Sequence, residues 1–153
     1  MKIIAVNKRA KRDYEIEETI EAGIKLTGDE VKSVKNGNIN INDGFVKIDN
    51  EEAFLYNVHI GKYRQRTQGD YDPLRTRKLL LHKKEIKYLA GKQRERGFAI
   101  IPLKVYLKRN LIKVELGIGR GLKKYDKRAK LKEKEAKRAI EREFTKRLKK
   151  KFM

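Results

Sequence analysis

The chain has 153 residues, the length of one ordinary domain, with 39% apolar residues, 41% charged residues and a formal net charge of +20. It has two histidines and no cysteine, which excludes disulfides, thiolate chemistry and a soft-metal centre built on His and Cys ligands. A surface this basic attracts polyanions and releases their counterions on binding, so nucleic acid is the expected class of partner. Nothing approaches the run of about 18 apolar residues that a membrane span needs, and the stretch Met1–Arg9 is too short for a signal peptide. A soluble cytoplasmic protein with no membrane contact is expected.

In chain order, period-two patterning dominates as far as Ile118. From Tyr14 to Leu26 the even positions are apolar except Glu18, which predicts one long strand bent near Gly23. Thr27-Gly28-Asp29-Glu30 opens a short helix through Val31, Val34 and Lys35, stopped at Gly37. Two strands follow, Asp43 to Ile48 and Ala53 to Ile60, separated by a turn at Asp49-Asn50-Glu51. Gly61 to Arg77 has no clean period and reads as a basic loop carrying Tyr63, Arg64, Arg66, Arg75 and Arg77. A helix is predicted from Lys83 to Arg96, ended by Gly97. A hairpin with its turn at Lys108-Arg109-Asn110 then pairs the alternating runs Ile101–Leu107 and Ile112–Ile118. About six strands with polar outer faces and two short helices predict a mainly β fold, a small barrel of the oligonucleotide-binding type over residues 1–118.

Residues 119–153 differ. They carry 16 Lys/Arg against 5 Asp/Glu, and Ala136, Ile140, Phe144, Leu148 and Phe152 form a single narrow apolar row. Such a helix is marginal in water, so the tail is expected to be disordered when free and helical when bound to a polyanion. Gly117-Ile118-Gly119-Arg120-Gly121 lacks the lysine and hydroxyl of a phosphate loop and reads as a flexible joint.

No catalytic constellation stands out, and neither a cofactor nor a metal is expected. His59 reads as a strand-face or edge residue; His82 is either a substitute helix N-cap or a nucleotide-facing side chain. Asp29-Glu30 fits the positive end of a helix dipole. Asp70 and Asp72 would be the basis of a metal-dependent nuclease, but loop solvation is the simpler reading. Binding has more support: Lys8-Arg9, Lys11-Arg12, Arg75, Arg77-Lys78 and Lys113 lie at strand ends, loops or outer faces. Tyr14, Tyr63, Tyr106 and Tyr125 are available to stack on unpaired bases. A ribosomal or translation-associated RNA-binding protein with a basic extension fits the composition equally well.

Six short strings stand in order along the chain: Asn7-Lys8-Arg9-Ala10, Glu21-Ala22-Gly23-Ile24, Glu30-Val31-Lys32-Ser33, Arg75-Thr76-Arg77-Lys78-Leu79-Leu80-Leu81-His82, Lys113-Val114 and Asp126-Lys127-Arg128. Together they resemble the SmpB family of transfer-messenger RNA (tmRNA) binding proteins. The resemblance implies a non-catalytic adaptor whose barrel grips the tRNA-like domain of tmRNA. With GTP-bound elongation factor Tu it would deliver alanyl-charged tmRNA to ribosomes stalled without a stop codon. Asn7, Lys8, Arg9, Glu21, Lys32, Arg75, Arg77, Lys78, Leu80, His82 and Lys113 would then form the RNA-binding set. In the tail, Gly121, Lys123, Lys124, Tyr125, Asp126, Lys127 and Arg128 would meet ribosomal RNA near the decoding centre, in the vacant messenger channel. Asp126 would cap the tail helix. The chain departs from the family at Leu122, where a lysine usually follows the glycine, so no contact is carried onto that position.

Overall fold

Alternating apolar residues and well-chosen turn residues produce nine strands and three helices within the residues that the computed structural model describes, 1–63 and 69–122. They are β1 (Lys2–Val6), α1 (Ala10–Asp13), β2 (Tyr14–Ile24), α2 (Gly28–Lys35), β3 (Ile39–Asn40), β4 (Phe45–Asp49), β5 (Glu52–Tyr56), β6 (His59–Ile60), β7 (Arg77–Leu80), α3 (Lys83–Arg94), β8 (Phe98–Lys108) and β9 (Leu111–Gly121). The expectations for Arg64, Arg66 and the tail from Lys123 onward lie outside the described residues.

Local chemistry sets the element ends. The Thr27 hydroxyl accepts the Glu30 N–H (3.3 Å) and the Glu30 carboxylate accepts the Thr27 N–H (3.0 Å), a reciprocal cap that starts α2. Gly37 and Gly97 lie beyond α2 and α3 with φ of +79° and +84°. Both tight hairpin turns carry two left-handed residues, Asn50 and Glu51 (φ 47° and 63°) and Arg109 and Asn110 (52° and 65°). That is the turn geometry whose twist matches the flanking strands.

Seven strands make one antiparallel sheet in the order β1-β8-β9-β2-β7-β5-β4, and β3 pairs with β6 apart from it. The expected closed barrel of about six strands is therefore corrected to an open sheet whose ends are β1 and β4. β1 pairs only with β8 and β4 only with β5, so each leaves one side without a ladder. β1 meets β8 from Lys104 to Leu107, and just past it the Asn7 N–H donates to the Leu103 carbonyl (2.8 Å). Side chains reinforce this link. The Asn7 Nδ2 donates to the carbonyls of Pro102 (2.8 Å) and Ile41 (3.4 Å), while its Oδ1 accepts the N–H groups of Arg9 (3.0 Å) and Ala10 (3.1 Å). The Lys8 N–H donates to Asn42 Oδ1 (3.0 Å), and Arg9 pairs with Asp43.

Other expectations change in detail. β1 and β7 form in segments not assigned as strands from the sequence, and the run Ala53–Ile60 breaks at Asn57 (φ 63°) into β5 and β6. The glycine-rich stretch before the tail is not a joint: β9 continues through it to Gly121. Gly119 is needed there because a Cβ would lie 2.2 Å from the Glu15 carbonyl oxygen of the adjoining strand.

The core gathers Ala22, Val46, Leu55, Leu79, Val105, Val114, Leu116 and Ile118 from six strands, with Val34 of α2 and Leu89 of α3. Each fully buried large aliphatic side chain contributes about 1.5–3 kcal/mol. Beside it sits a buried ion pair. Arg77, 0% exposed, donates from Nε (2.8 Å) and Nη2 (2.6 Å) to Glu30 Oε2, and from Nη1 to the carbonyls of Val58 (2.6 Å) and Pro73 (3.0 Å). Arg75 pairs with the other Glu30 oxygen, and the Tyr71 hydroxyl donates to the Ile60 carbonyl (2.9 Å). Burial by itself would raise the Glu30 carboxyl. The hydrogen bonds from Arg75, the Thr27 N–H and Arg77 outweigh it and draw the group from 4.5 to about 2.

Because the folded value lies below the unfolded one, this carboxylate stabilises fully above about pH 4.5 and loses that contribution as pH falls toward 2. Glu30→Gln leaves the Arg77 charge buried without a counter-ion, and the expected loss of unfolding free energy is about 3–5 kcal/mol in urea denaturation at neutral pH. The variant is also expected to lack the component of acid destabilisation between pH 4.5 and 2 that belongs to this carboxylate. A loss below about 1 kcal/mol would mean that the pair does not hold the fold.

Candidate nucleic-acid interface

Antiparallel register collects the candidates on one face. Across β8, β9, β2 and β7 the directly opposed residues are Tyr106, Lys113, Gly23 and Leu80. Opposed residues project to the same side of a sheet and their chain neighbours to the other. The adjacent row, Val105, Val114 and Ala22, is accordingly core, at 1%, 0% and 1% exposure. Glu115 and Glu21 form the next outward row. Gly23 carries no side chain, and the Leu80 side chain lies over it: a Cβ there would stand 3.2 Å from the Leu80 Cβ and 3.5 Å from its Cδ1.

Leu80 is 53% exposed while Leu79 is 1% exposed. Leu79 fills the core and Leu80 stands outward. An exposed leucine next to a lysine offers an apolar contact for a base beside a cation for a phosphate. Lys78, two residues back on the same side, is half-exposed and pairs with Glu52 (3.3 Å). His82 lies just past the strand, exposed, and its N–H donates to the Glu85 carboxylate (3.0 Å) at the start of α3. It occupies the helix N-cap position and remains solvent-facing at the same time, so the two readings of His82 are compatible.

Glu21 accepts a hydrogen bond from the Tyr106 hydroxyl and lies 3.5 Å from Lys108 Nζ. The Tyr106 hydrogen bond, joined by the Lys108 and Lys113 charges, lowers the Glu21 carboxyl against the opposing effect of burial. Burial, the Glu21 hydrogen bond and the Glu21 and Glu115 charges raise the Tyr106 phenol. Tyr106 is therefore a buried ring locked to Glu21 rather than a free stacking surface. Glu21 is thus held between Tyr106 and Lys108.

The remaining candidates lie elsewhere. Arg77 is corrected outright: with no exposed surface and its guanidinium spent on Glu30 and two carbonyls, it cannot touch a ligand. Arg75 is half-buried on the same carboxylate. Asn7 is buried as a backbone bridge, whereas Lys8 and Arg9 are exposed beside Asn42 and Asp43. Lys32 is exposed on α2, its Nζ 5.1 Å from the centre of the Tyr63 ring. Gly121 ends β9, and its N–H donates to the Gly97 carbonyl (3.0 Å). Lys123, Lys124, Tyr125, Asp126, Lys127 and Arg128 lie outside the described residues. Asp72 shapes its own loop by accepting the Leu74 N–H (2.9 Å), and among the described residues no three His, Cys, Asp or Glu side chains group as metal ligands. Nor is any described helix long and apolar enough to cross a membrane.

Sequence reasoning placed Lys108 in the hairpin turn and did not single it out; it is the last residue of β8, paired opposite Leu111, and reaches Glu21 on β2. Only the register of three strands brings them together.

Tyr106→Phe removes the phenol that Glu21 accepts from. The Glu21 carboxyl is expected to titrate at a higher pH, nearer its ordinary value, in a carboxyl-carbon NMR titration; an unchanged titration would show that Lys108 and Lys113 alone hold it down.

Residues 4–146 match the family model described as SmpB protein. The chain is 53% identical over 148 residues to an SsrA-binding protein of Geobacillus thermodenitrificans, covering 97% of this chain and 96% of that one. It is 56% identical over 146 residues to one of Listeria welshimeri, covering 95% of each. Among solved structures, a chain from work described as "tmRNA-SmpB: a journey to the center of the bacterial ribosome" superposes with a TM-score of 0.65 at 44% identity, covering 78% of this chain and 85% of that chain. A match running almost end to end, on a fold whose sheet gathers Glu21, Leu80 and Lys113 on one face, means that this chain belongs to the SmpB family.

Proposed function

We propose that this chain is a cytoplasmic, non-catalytic RNA-binding adaptor of trans-translation. It binds the tRNA-like domain of tmRNA through the outward face of β9, β2 and β7 and delivers it, with GTP-bound elongation factor Tu, to stalled ribosomes. The observation that carries the reading is the outward row Lys113, Gly23 and Leu80, flanked by Glu21, in a chain of this family. A cation and an exposed leucine side by side suit an RNA loop with an unstacked base, which is how single-stranded RNA is read. The tail beyond Leu122, as a strongly basic segment, suits the anionic channel that messenger RNA leaves empty, near the decoding centre. The division of labour follows: the sheet domain binds tmRNA, and the tail licenses decoding without a codon.

A titration against the tRNA-like domain of tmRNA and against ordinary tRNA, in moderate and raised salt, tests the reading. A preference for tmRNA that survives raised salt is expected. Equal affinities that collapse together with salt would leave a general basic RNA binder, the alternative that composition alone also fits. Lys113→Ala is expected to weaken tmRNA binding by about 1–3 kcal/mol. Truncation after Leu122 is expected to leave that affinity within a few-fold and to abolish tagging in a reconstituted translation system. Equal loss of affinity in both variants would refute the division.

A further inference from the structure

Resting on the reading that this face of the sheet binds RNA, we infer that it continues into a second subsite, which takes a backbone phosphate together with the neighbouring unstacked base. The subsite is a concavity of about 410 Å³ lined by Lys25, Thr27, Phe54, Arg75, Thr76 and Lys78, within the range of roughly 300–1,000 Å³ typical of ligand clefts. Register ties it to the first site. Lys78 lies opposite Phe54, Phe54 lies opposite Lys47, and the Lys25 N–H donates to the Lys78 carbonyl (2.9 Å). Since Lys78 and Leu80 share a side of β7, the concavity adjoins the outward row along the same strand.

Two independent observations point to an anion. Three cationic side chains, Lys25, Arg75 and Lys78, line one hollow, and Lys25 is exposed with no carboxylate paired to it among the described residues. The Arg75 Nε is buried yet has no hydrogen-bond partner among the described residues, although the far end of the same guanidinium is held by Glu30. A buried N–H without an acceptor is rare in folded proteins and is satisfied when a water or an anion occupies the space. Holding the guanidinium on Glu30 fixes where that N–H stands, so the site is built in advance of the ligand. Phe54 supplies the second half of the recognition. It is a half-buried ring on the outer side of β5 with a lysine on each neighbouring strand, an arrangement in which a base stacks on the ring while its phosphate meets a lysine. Glu52 tempers the charge by pairing with Lys78, which leaves Lys25 and Arg75 as the stronger anion contacts.

The test compares Lys25→Gln, Phe54→Leu and Lys113→Ala in the full chain, each first checked for wild-type thermal unfolding, in titrations with the tRNA-like RNA at several salt concentrations. Lys25→Gln is expected to lower the salt slope by about one without altering preference among RNAs. Phe54→Leu is expected to raise Kd by roughly fivefold or more, with the salt slope unchanged. As a readout that needs no variant, the Arg75 Nε–H resonance is expected to shift when a short unpaired RNA oligonucleotide is added to the wild-type protein, and to shift less with inorganic phosphate alone. If Lys113→Ala weakens binding while Lys25→Gln and Phe54→Leu bind as wild type and the Arg75 resonance stays still, the second subsite is wrong and the first stands. If none of the three variants weakens binding, the RNA-binding reading of this face fails with it.

Discussion

A charge taken out of water must be met by another, and in this chain that requirement falls on Glu30. Its two oxygens hold Arg75 and Arg77, and Arg77 in turn holds the carbonyls of Val58 and Pro73. One carboxylate therefore ties the first turn of α2 to β7, to the loop before it and to the approach to β6. Replacing such a pair with hydrophobic residues can be neutral, but breaking it leaves an uncompensated buried charge. Its consequence for the surface is geometric. Side chains alternate along a strand, so anchoring Arg77 inward sends Lys78 and Leu80 outward, with Leu79 returning to the core. The basic string that looks like a surface patch is in fact half internal support, and that support aims the other half.

The outward face is made by three neighbouring strands rather than by any one segment. Lys113, Gly23 and Leu80 come from positions far apart in the chain and meet only because β9, β2 and β7 pair in this register. Glu21 is the one acidic member. It is not a free charge: the Tyr106 hydroxyl and the nearby Lys108 and Lys113 charges hold it as a fixed carboxylate. A rigid ring and a positioned lysine beside it are a better defined surface than a set of mobile lysines. Such definition distinguishes shape-selective RNA binding from the general attraction of a +20 chain.

The N-terminal string Asn7-Lys8-Arg9 divides in the same way. The Asn7 side chain is spent on four backbone groups, the carbonyls of Pro102 and Ile41 and the N–H groups of Arg9 and Ala10. Lys8 and Arg9 remain at the surface. A motif that identifies the family is therefore no guide to which of its residues touch a ligand. Burial of a polar side chain with all its bonds made is as strong a reason for a fixed residue type as binding.

Much of the local structure was legible in the sequence. The Thr27–Glu30 cap, the glycines after two helices, the hairpin turn at Arg109-Asn110 and the alternation of the last hairpin all follow from interactions between residues a few positions apart. The short string matches likewise pointed to the SmpB family before any coordinates. What the sequence could not settle depended on partners distant in the chain. Whether Arg77 was free or buried hinged on a glutamate 47 positions away, and whether Leu80 or Leu79 faced outward hinged on the pairing of β7 with β2 and β5. Gly119 looked like a joint because its reason, the Glu15 carbonyl across the ladder, is invisible to a local pattern. By itself the sequence determined the elements, the charge and the family, since each rests on residue type and near neighbours. The tertiary structure alone decided which polar residues are interior and which stand at the surface, because burial and register are properties of pairs that only folding brings together.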